Sequence, residues 1–106
     1  MGPTYQIVLS TTAQDNLRDI YDYLYDHVSF ETAEHVKDGL EAEISKLSQS
    51  PEANGLLQGH NSKTVYRRVL KWSYRIIFSI EKQQLTVEVI RVDSQKMNPA
   101  SLEDLP

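Results

Sequence analysis

Two stretches with helical periodicity follow one another almost without a gap, and this proximity restricts the fold more than any other feature of the chain. In each stretch apolar side chains recur every three or four residues with polar side chains between them. Ser10–Thr12 and Ser29 stand directly before the two stretches, where their side chains can cap helices. Helices joined this closely form an antiparallel αα-hairpin. The apolar stripes are Ala13, Leu17, Ile20, Tyr21, Leu24 and Val28, then Phe30, Ala33, Val36, Leu40, Ile44 and Leu47.

Runs rich in β-branched and aromatic residues lie on both sides of this hairpin. Tyr5–Leu9 precedes the helices, and Thr64–Leu70, Tyr74–Glu81 and Leu85–Val92 follow them. The last three runs are separated by turns too short for a crossover, so they pair as an antiparallel meander. The predicted class is α+β, with an N-terminal strand, an αα-hairpin packed on one face of the sheet, and a three-stranded meander. This domain spans 1–93, and 94–106 are predicted to be a polar C-terminal tail.

Two details predict how these elements meet. Gly39 lies inside the second helix, where glycine costs about 1 kcal/mol relative to alanine, so we expect a close approach of another element there. The residues from Glu52 to Ser62 read as a loop that Leu56 and Leu57 could attach to the core. His60 lies in this loop and is a minor candidate for a functional role.

Composition limits the possible functions. The chain has 106 residues, enough for one domain, and no cysteine, which excludes disulfides and thiol chemistry. No apolar run approaches the roughly 20 residues of a membrane span, and no signal peptide is visible at the N-terminus. The three histidines are far apart, so we predict neither a metal site nor a cofactor. These features favour a cytoplasmic protein.

The net charge of −4 conceals an uneven distribution. Residues 13–52 carry ten acidic and three basic side chains, whereas 63–96 carry eight basic and three acidic ones. A basic sheet half would attract an acidic partner, either a nucleic acid or an acidic protein segment. The alternative is that these bases lie on solvated strand faces and neutralise the domain's own helices.

The basic and aromatic residues of the meander are the candidate binding residues. Arg67 and Arg68 are adjacent on a strand and must point to opposite faces, so only one of them can share a surface with Arg75. Arg75 would either pair with Glu88 across the sheet or contact a phosphate or a protein target. A tryptophan at a turn would either cap the core or anchor a partner. The predicted partner-binding set is Arg67, Arg68, Lys71, Trp72, Arg75 and Arg91.

Over residues 4–93 the order and spacing of these pieces resemble the RelE/ParE superfamily of bacterial type II toxin–antitoxin toxins. The matching segments are Tyr5–Leu9 with Ala13–Leu24, Ile44–Pro51, Tyr66–Arg68, Ser73–Phe78 and Leu85–Val92. The resemblance implies a cytoplasmic growth inhibitor of the plasmid-stabilisation type, held by a cognate antitoxin. We expect an acidic and apolar antitoxin segment to cover the basic sheet half.

The superfamily divides by target. The resemblance to RelE-like members, which cleave mRNA on the ribosome, places Arg75 on the arginine that contacts the phosphate and Arg68 on another basic position. These nucleases usually carry a histidine, tyrosine or second base just after the last strand, where this chain has Asp93-Ser94. A carboxylate there would repel a phosphate, and a pI near 5.3 disfavours approach to ribosomal RNA. We therefore favour a ParE-like toxin that inhibits a protein target such as DNA gyrase. The alternatives are a ribosome-dependent mRNA endonuclease and a non-toxic protein that only binds an antitoxin.

Overall fold

A computed structural model describes residues 2–60, 62–94, 102, 105 and 106, and over this part of the chain it confirms the predicted α+β class. The elements are β1 (Gln6–Leu9), α1 (Thr11–His27), α2 (Phe30–Lys46), a 3-10 turn (Pro51–Ala53), β2 (Arg67–Lys71), β3 (Tyr74–Glu81) and β4 (Thr86–Ser94). No helix in these residues is long and apolar enough to cross a membrane.

The strands form one sheet in the order β1-β4-β3-β2. The predicted meander is confirmed, because β2 pairs with β3 and β3 pairs with β4 in antiparallel register. β1 joins the free side of β4 in parallel, with Gln6 opposite Thr86 and Leu9 opposite Val89. The sheet is therefore mixed rather than wholly antiparallel. Parallel pairing is possible here because the whole αα-hairpin and β2–β3 lie between the two strands in sequence.

Both predicted serine caps are present. The Ser10 hydroxyl oxygen accepts a hydrogen bond from Ala13 N at 3.0 Å, and its O–H donates to Ile90 O at 2.7 Å, which fixes the start of α1 to β4. Ser29 caps α2 in the same way by accepting from Thr32 N. α2 ends at Lys46, and Leu47, the last residue of its predicted apolar stripe, is the C-cap.

Apolar clusters pack on both faces of the sheet. Both helices pack on one face, where the core includes Leu40, Ile76 and Phe78, each 0–1% exposed. A second cluster covers part of the opposite face and consists of Leu57, Tyr66, Ile77, Ile90 and Leu105, with Leu102 against it. We call the side of the sheet turned away from the helices the distal face.

The loop and the C-terminal residues supply much of the distal cluster. Leu57 is buried there as predicted, whereas Leu56 is exposed. The Tyr66 O–H and the Ser62 O–H both donate to Pro106 O, at 2.5 and 2.6 Å. The predicted polar tail also makes apolar contacts with the sheet, through Leu102 and Leu105. Residues 95–101, 103 and 104 lie outside the described residues.

The close approach predicted at Gly39 is confirmed. A Cβ built at Gly39 would lie 2.2 Å from Cη2 of Trp72, so the indole rests directly on the glycine of α2. Trp72 is the first residue of the two-residue turn between β2 and β3 and has φ 54°. Tight hairpin turns need a positive φ at this position, which is unfavourable for a bulky side chain. Indole packing on α2 offsets part of that cost.

Replacing Gly39 by alanine should therefore destabilise the protein, although the same change stabilises an ordinary helix. We expect a loss of about 1 kcal/mol in the free energy of unfolding, because the new methyl group displaces the indole. In a Trp72→Ala background, Gly39→Ala should instead stabilise by about 1 kcal/mol. Urea unfolding of wild type, the two single variants and the double variant measures these changes in the free energy of unfolding. Acrylamide quenching of the single tryptophan should be stronger in Gly39→Ala than in wild type. Equal effects of Gly39→Ala in both backgrounds would contradict the contact.

A tyrosine joins the two helices and creates a pH dependence. A hydrogen bond to Glu34, with burial as a smaller cause, raises the pKa of Tyr21 from 10.0 to about 12. Between pH 10 and 12 the unfolded chain loses this proton while the folded chain keeps it, so stability should fall as pH rises through that window. Tyr21→Phe should reduce the alkaline loss of stability. Difference absorbance of phenolate between wild type and Tyr21→Phe should show a titration near pH 12, and one near pH 10 would contradict the pairing.

Candidate binding face of the sheet

Pairing register places three of the predicted arginines on the distal face. Arg68 lies opposite Ile77, and Ile77 lies opposite Arg91. Two of the arginines, Arg68 and Arg91, therefore lie in one row across β2, β3 and β4, with Ile77 between them. Residues directly opposite one another project to the same side of a sheet. Arg75 lies two residues before Ile77 and projects to the same face.

A β-bulge decides what faces Arg75. Near the β3–β4 turn Ser79 lies opposite Glu88, a register that would place Val92 opposite Arg75 if it continued. An extra residue in β4 shifts the register between Ile77 and Phe78, and Asp93 comes to lie opposite Arg75 instead. The alternative in which Arg75 pairs with Glu88 is wrong in either register, because Glu88 of β4 lies opposite Ser79, which is four residues after Arg75 in β3.

Arg75 and Asp93 form a two-pronged ion pair. Nε donates to Oδ1 at 3.0 Å and Nη2 donates to Oδ2 at 2.8 Å. The side chains are 13% and 6% exposed, so solvent screens the pair only weakly. A guanidinium and a carboxylate match in shape, which makes parallel hydrogen bonds of this kind both strong and directional.

The other two distal arginines lie at either side of this pair. Arg91 is buried, and its Nε lies 3.7 Å from Oδ2 of Asp93, so one carboxylate faces two guanidinium groups. Arg68 is half-buried and lies beside the loop, with its Cζ 4.0 Å from a Cβ built at Gly55. The row therefore contacts Asp93 at its Arg91 end and lies beside the loop at its Arg68 end.

Arg67 projects to the opposite side, as strand alternation predicts. Its Nη1 donates to the carbonyl oxygens of Glu52 and Asn54 at 3.2 and 2.7 Å. These contacts hold the loop that follows α2 against the start of β2. Arg67 is thereby engaged within the fold and separated from the row on the distal face.

Lys71 and Trp72 form a separate exposed feature at the β2–β3 turn. The Nζ of Lys71 lies 4.6 Å from the centroid of the Trp72 ring and 3.8 Å from Oε1 of Glu43. The centroid of the His35 ring of α2 lies 5.2 Å from that of the Trp72 ring. Trp72 packs on α2 yet remains 50% exposed. This combination of a fixed and half-exposed indole beside a lysine suits contact with a partner protein.

His60 packs its ring edge-to-face on Tyr66, with ring centroids 5.4 Å apart. Its Nδ1 is buried and has no hydrogen-bond partner among the described residues. The Tyr66 hydroxyl is engaged with Pro106 O. Among the described residues, no three histidine or acidic side chains come together in a way that could hold a metal ion.

Sequence reasoning assigned no pairing role to Asp93, the residue that organises the distal face. An arginine and an aspartate on neighbouring strands are a possible pair, but their registration depends on a bulge that no local sequence signal marks. The predicted site residues are thus divided among three places: Arg68, Arg75 and Arg91 on the distal face, Lys71 and Trp72 at the turn, and Arg67 on the loop.

Removing the carboxylate of Asp93 should cost far more stability than breaking an exposed ion pair. Asp93→Asn leaves the largely buried guanidinium group of Arg75 without its paired anion, and we expect a loss of about 3–5 kcal/mol in the free energy of unfolding. The matched control is Asp15→Asn, which breaks the pair with Arg18, where the side chains are 49% and 65% exposed. That change should cost less than about 1 kcal/mol. Urea unfolding measures both, and similar losses in the two variants would refute the buried pair.

Comparison with known proteins assigns this fold to a family. A family model described as the ParE toxin of the type II toxin–antitoxin system parDE matches residues 7–99. A search of curated protein sequences gives no significant match.

Solved structures show the same fold at low sequence identity. The chain is similar to a protein of the chromosomal ParDE system of P. aeruginosa, with a TM-score of 0.68 and 17% identity over 86% of this chain and 96% of that one. It is also similar to a chain of the toxin–antitoxin complex RelBE2 from Mycobacterium tuberculosis, with a TM-score of 0.60 and 21% identity over 90% and 95% of the two chains. The isolated RelE toxin of E. coli gives a TM-score of 0.61 and 18% identity over 89% and 87%. Since the family model spans nearly the whole domain, the chain belongs to the ParE toxin family of type II toxin–antitoxin systems.

Proposed function

We propose that this toxin inhibits bacterial growth in the cytoplasm by binding a protein target such as DNA gyrase, without cleaving RNA, and that a cognate antitoxin neutralises it. The observation that carries the proposal is the closed ion pair between Arg75 and Asp93. It occupies the position at which a nuclease of the superfamily would need an open arginine.

A phosphate would have to displace Asp93 to form paired hydrogen bonds with the Nε and Nη2 edge of Arg75. Both the Nε and Nη2 groups of Arg75 already donate to the carboxylate, and the arginine side chain is only 13% exposed. Asp93 would also repel a phosphate placed beside it, because two anions in a weakly solvated site destabilise one another. General acid catalysis would need a proton donor here, and the carboxylate paired with arginine is a poor one.

The overall charge supports a protein target. The chain carries a net charge of −4, and a ribosome presents a dense field of phosphate. A toxin that must approach RNA gains from a strong positive charge, which this chain lacks. A protein target imposes no such requirement.

The solved ParDE and RelBE2 relatives are toxin–antitoxin systems, and this supports an antitoxin partner for the present chain. We propose that an acidic and apolar antitoxin segment covers the basic sheet half at the β2–β3 turn. Leu70 and Trp72, each 50% exposed, would supply apolar contact, and Lys71 would supply charge. Within the predicted binding set, Arg67 and Arg75 are engaged inside the fold and would support the surface rather than touch the partner.

Regulated expression in bacteria, with and without the antitoxin encoded by the adjacent reading frame, tests this function. We expect growth arrest with cell filamentation and an induced DNA-damage response, intact mRNA by primer extension, and inhibition of supercoiling by purified gyrase. Trp72→Ala should weaken antitoxin binding at least tenfold, whereas Val65→Ala, at another exposed apolar position, should leave it unchanged. Rapid translation arrest with cuts at codon boundaries would identify a nuclease, and normal growth would show that the chain is not toxic.

A further inference from the structure

The connection between α1 and α2 exposes an apolar surface that the antitoxin proposal does not use. Tyr23, Tyr25, Val28 and Phe30 are 42–59% exposed, and no side chain between Leu24 and Ala33 is buried. Val28 and Phe30 continue the apolar stripes of the two helices, yet neither packs into the core. Scattered exposed apolar residues are ordinary, but several within one short protruding segment mark a contact surface. We call residues 19–36 the hairpin tip.

The aromatic rings of the hairpin tip form a continuous strip. Tyr21 stacks on Tyr25 with ring centroids 6.2 Å apart, and Tyr25 meets Phe30 edge-to-face at 6.0 Å. Tyr21 also lines a groove of about 340 Å³ between the helices, and the lining includes Leu17 and Glu34 as well as the two cations that flank the tip in sequence, Arg18 and Lys37. The cations of a partner would therefore face the acidic side chains beyond this groove. The strip therefore leads into a pocket large enough to receive a side chain. Tyrosine and phenylalanine offer large contact areas at low entropic cost, and tyrosine is frequent among the residues that dominate binding energy.

The charge of the hairpin tip determines which partner fits. Residues 19–36 include five acidic side chains and neither lysine nor arginine. Among the described residues, Asp19, Asp22, Asp26 and Glu31 form no salt bridge. A nucleic acid would be repelled by this surface, and so would a second copy meeting it tip to tip, because an isologous contact brings like charges together. A lysine- or arginine-bearing segment would be attracted.

We propose that the hairpin tip docks the toxin's protein target through a basic segment of that target carrying apolar side chains. This inference rests on the proposed function, since it assumes that the toxin acts by binding a protein. It assigns target and antitoxin to different surfaces. The hairpin tip holds the target, and the basic sheet half holds the antitoxin. The target's apolar side chains lie along Tyr25 and Phe30, and its cations face Asp26 and Glu31.

Two pairs of substitutions test this assignment. Tyr25→Ser with Phe30→Ser removes the strip, and Asp26→Lys with Glu31→Lys reverses the charge. Their controls change equally exposed residues elsewhere: Val8→Ser with Val65→Ser, and Asp38→Lys with Glu81→Lys. Each is expressed from a regulated promoter and scored by viable counts, with circular dichroism and co-purification of the antitoxin as measures of folding.

If the hairpin tip docks the target, both tip variants should be at least tenfold less toxic than wild type while remaining folded and binding the antitoxin. The control variants should be as toxic as wild type.

Full toxicity of the tip variants would overturn the assignment, and so would increased toxicity on charge reversal, which would indicate a nucleic-acid target. Loss of antitoxin binding by folded tip variants would give this surface to the antitoxin. A dimer of wild type that the tip variants abolish would give it to a second copy. A wild type without toxicity would refute the proposed function and the target assignment together, whereas a toxic wild type with equally toxic tip variants would refute the tip alone.

Discussion

The ion pair between Arg75 and Asp93 organises the side chains of the distal face, and it depends on one extra residue in β4. The bulge beside Ile90 brings Asp93 opposite Arg75 and Arg91 into line with Ile77. A buried arginine without an anion would be costly, so the aspartate is a condition for placing these arginines in the sheet. The same carboxylate closes the arginine against an external phosphate. One local change of register thus links the stability of the sheet to its chemistry.

The fold separates two surfaces of opposite character. The meander carries most of the basic residues, and several of these are held by the protein itself, as Arg67 is by the loop and Arg75 by Asp93. Lys71, which is partly exposed, and Trp72, which is exposed, lie at the β2–β3 turn. The αα-hairpin carries most of the acidic residues and ends in the hairpin tip with its exposed aromatic side chains. A toxin that must be bound by an antitoxin and act on another molecule can use such a division, because each partner then recognises its own combination of charge and apolar surface.

Local sequence signals predicted the helices, their serine caps, the meander and the approach at Gly39, because each depends on periodicity, capping or backbone sterics within a few residues. Long-range registration could not be predicted in the same way. The partner of Arg75 depends on a bulge, and the parallel pairing of β1 depends on how the whole chain returns to β4. Periodicity alone also gave no sign that Val28 and Phe30 would be exposed, since both continue the stripe of core residues.

Asp93 holds Arg75 in this structure, and we propose that Arg75 therefore does not serve as a phosphate receptor. Arginine-selective NMR of the Arg75 Nε–H group, during titration with inorganic phosphate and then with a short RNA, tests it most directly. The signal should be protected from solvent exchange and unchanged by either ligand, because the N–H donates to a buried carboxylate. A saturable shift of this signal with phosphate or RNA, accompanied by faster exchange, would show instead that Arg75 is an anion-binding residue.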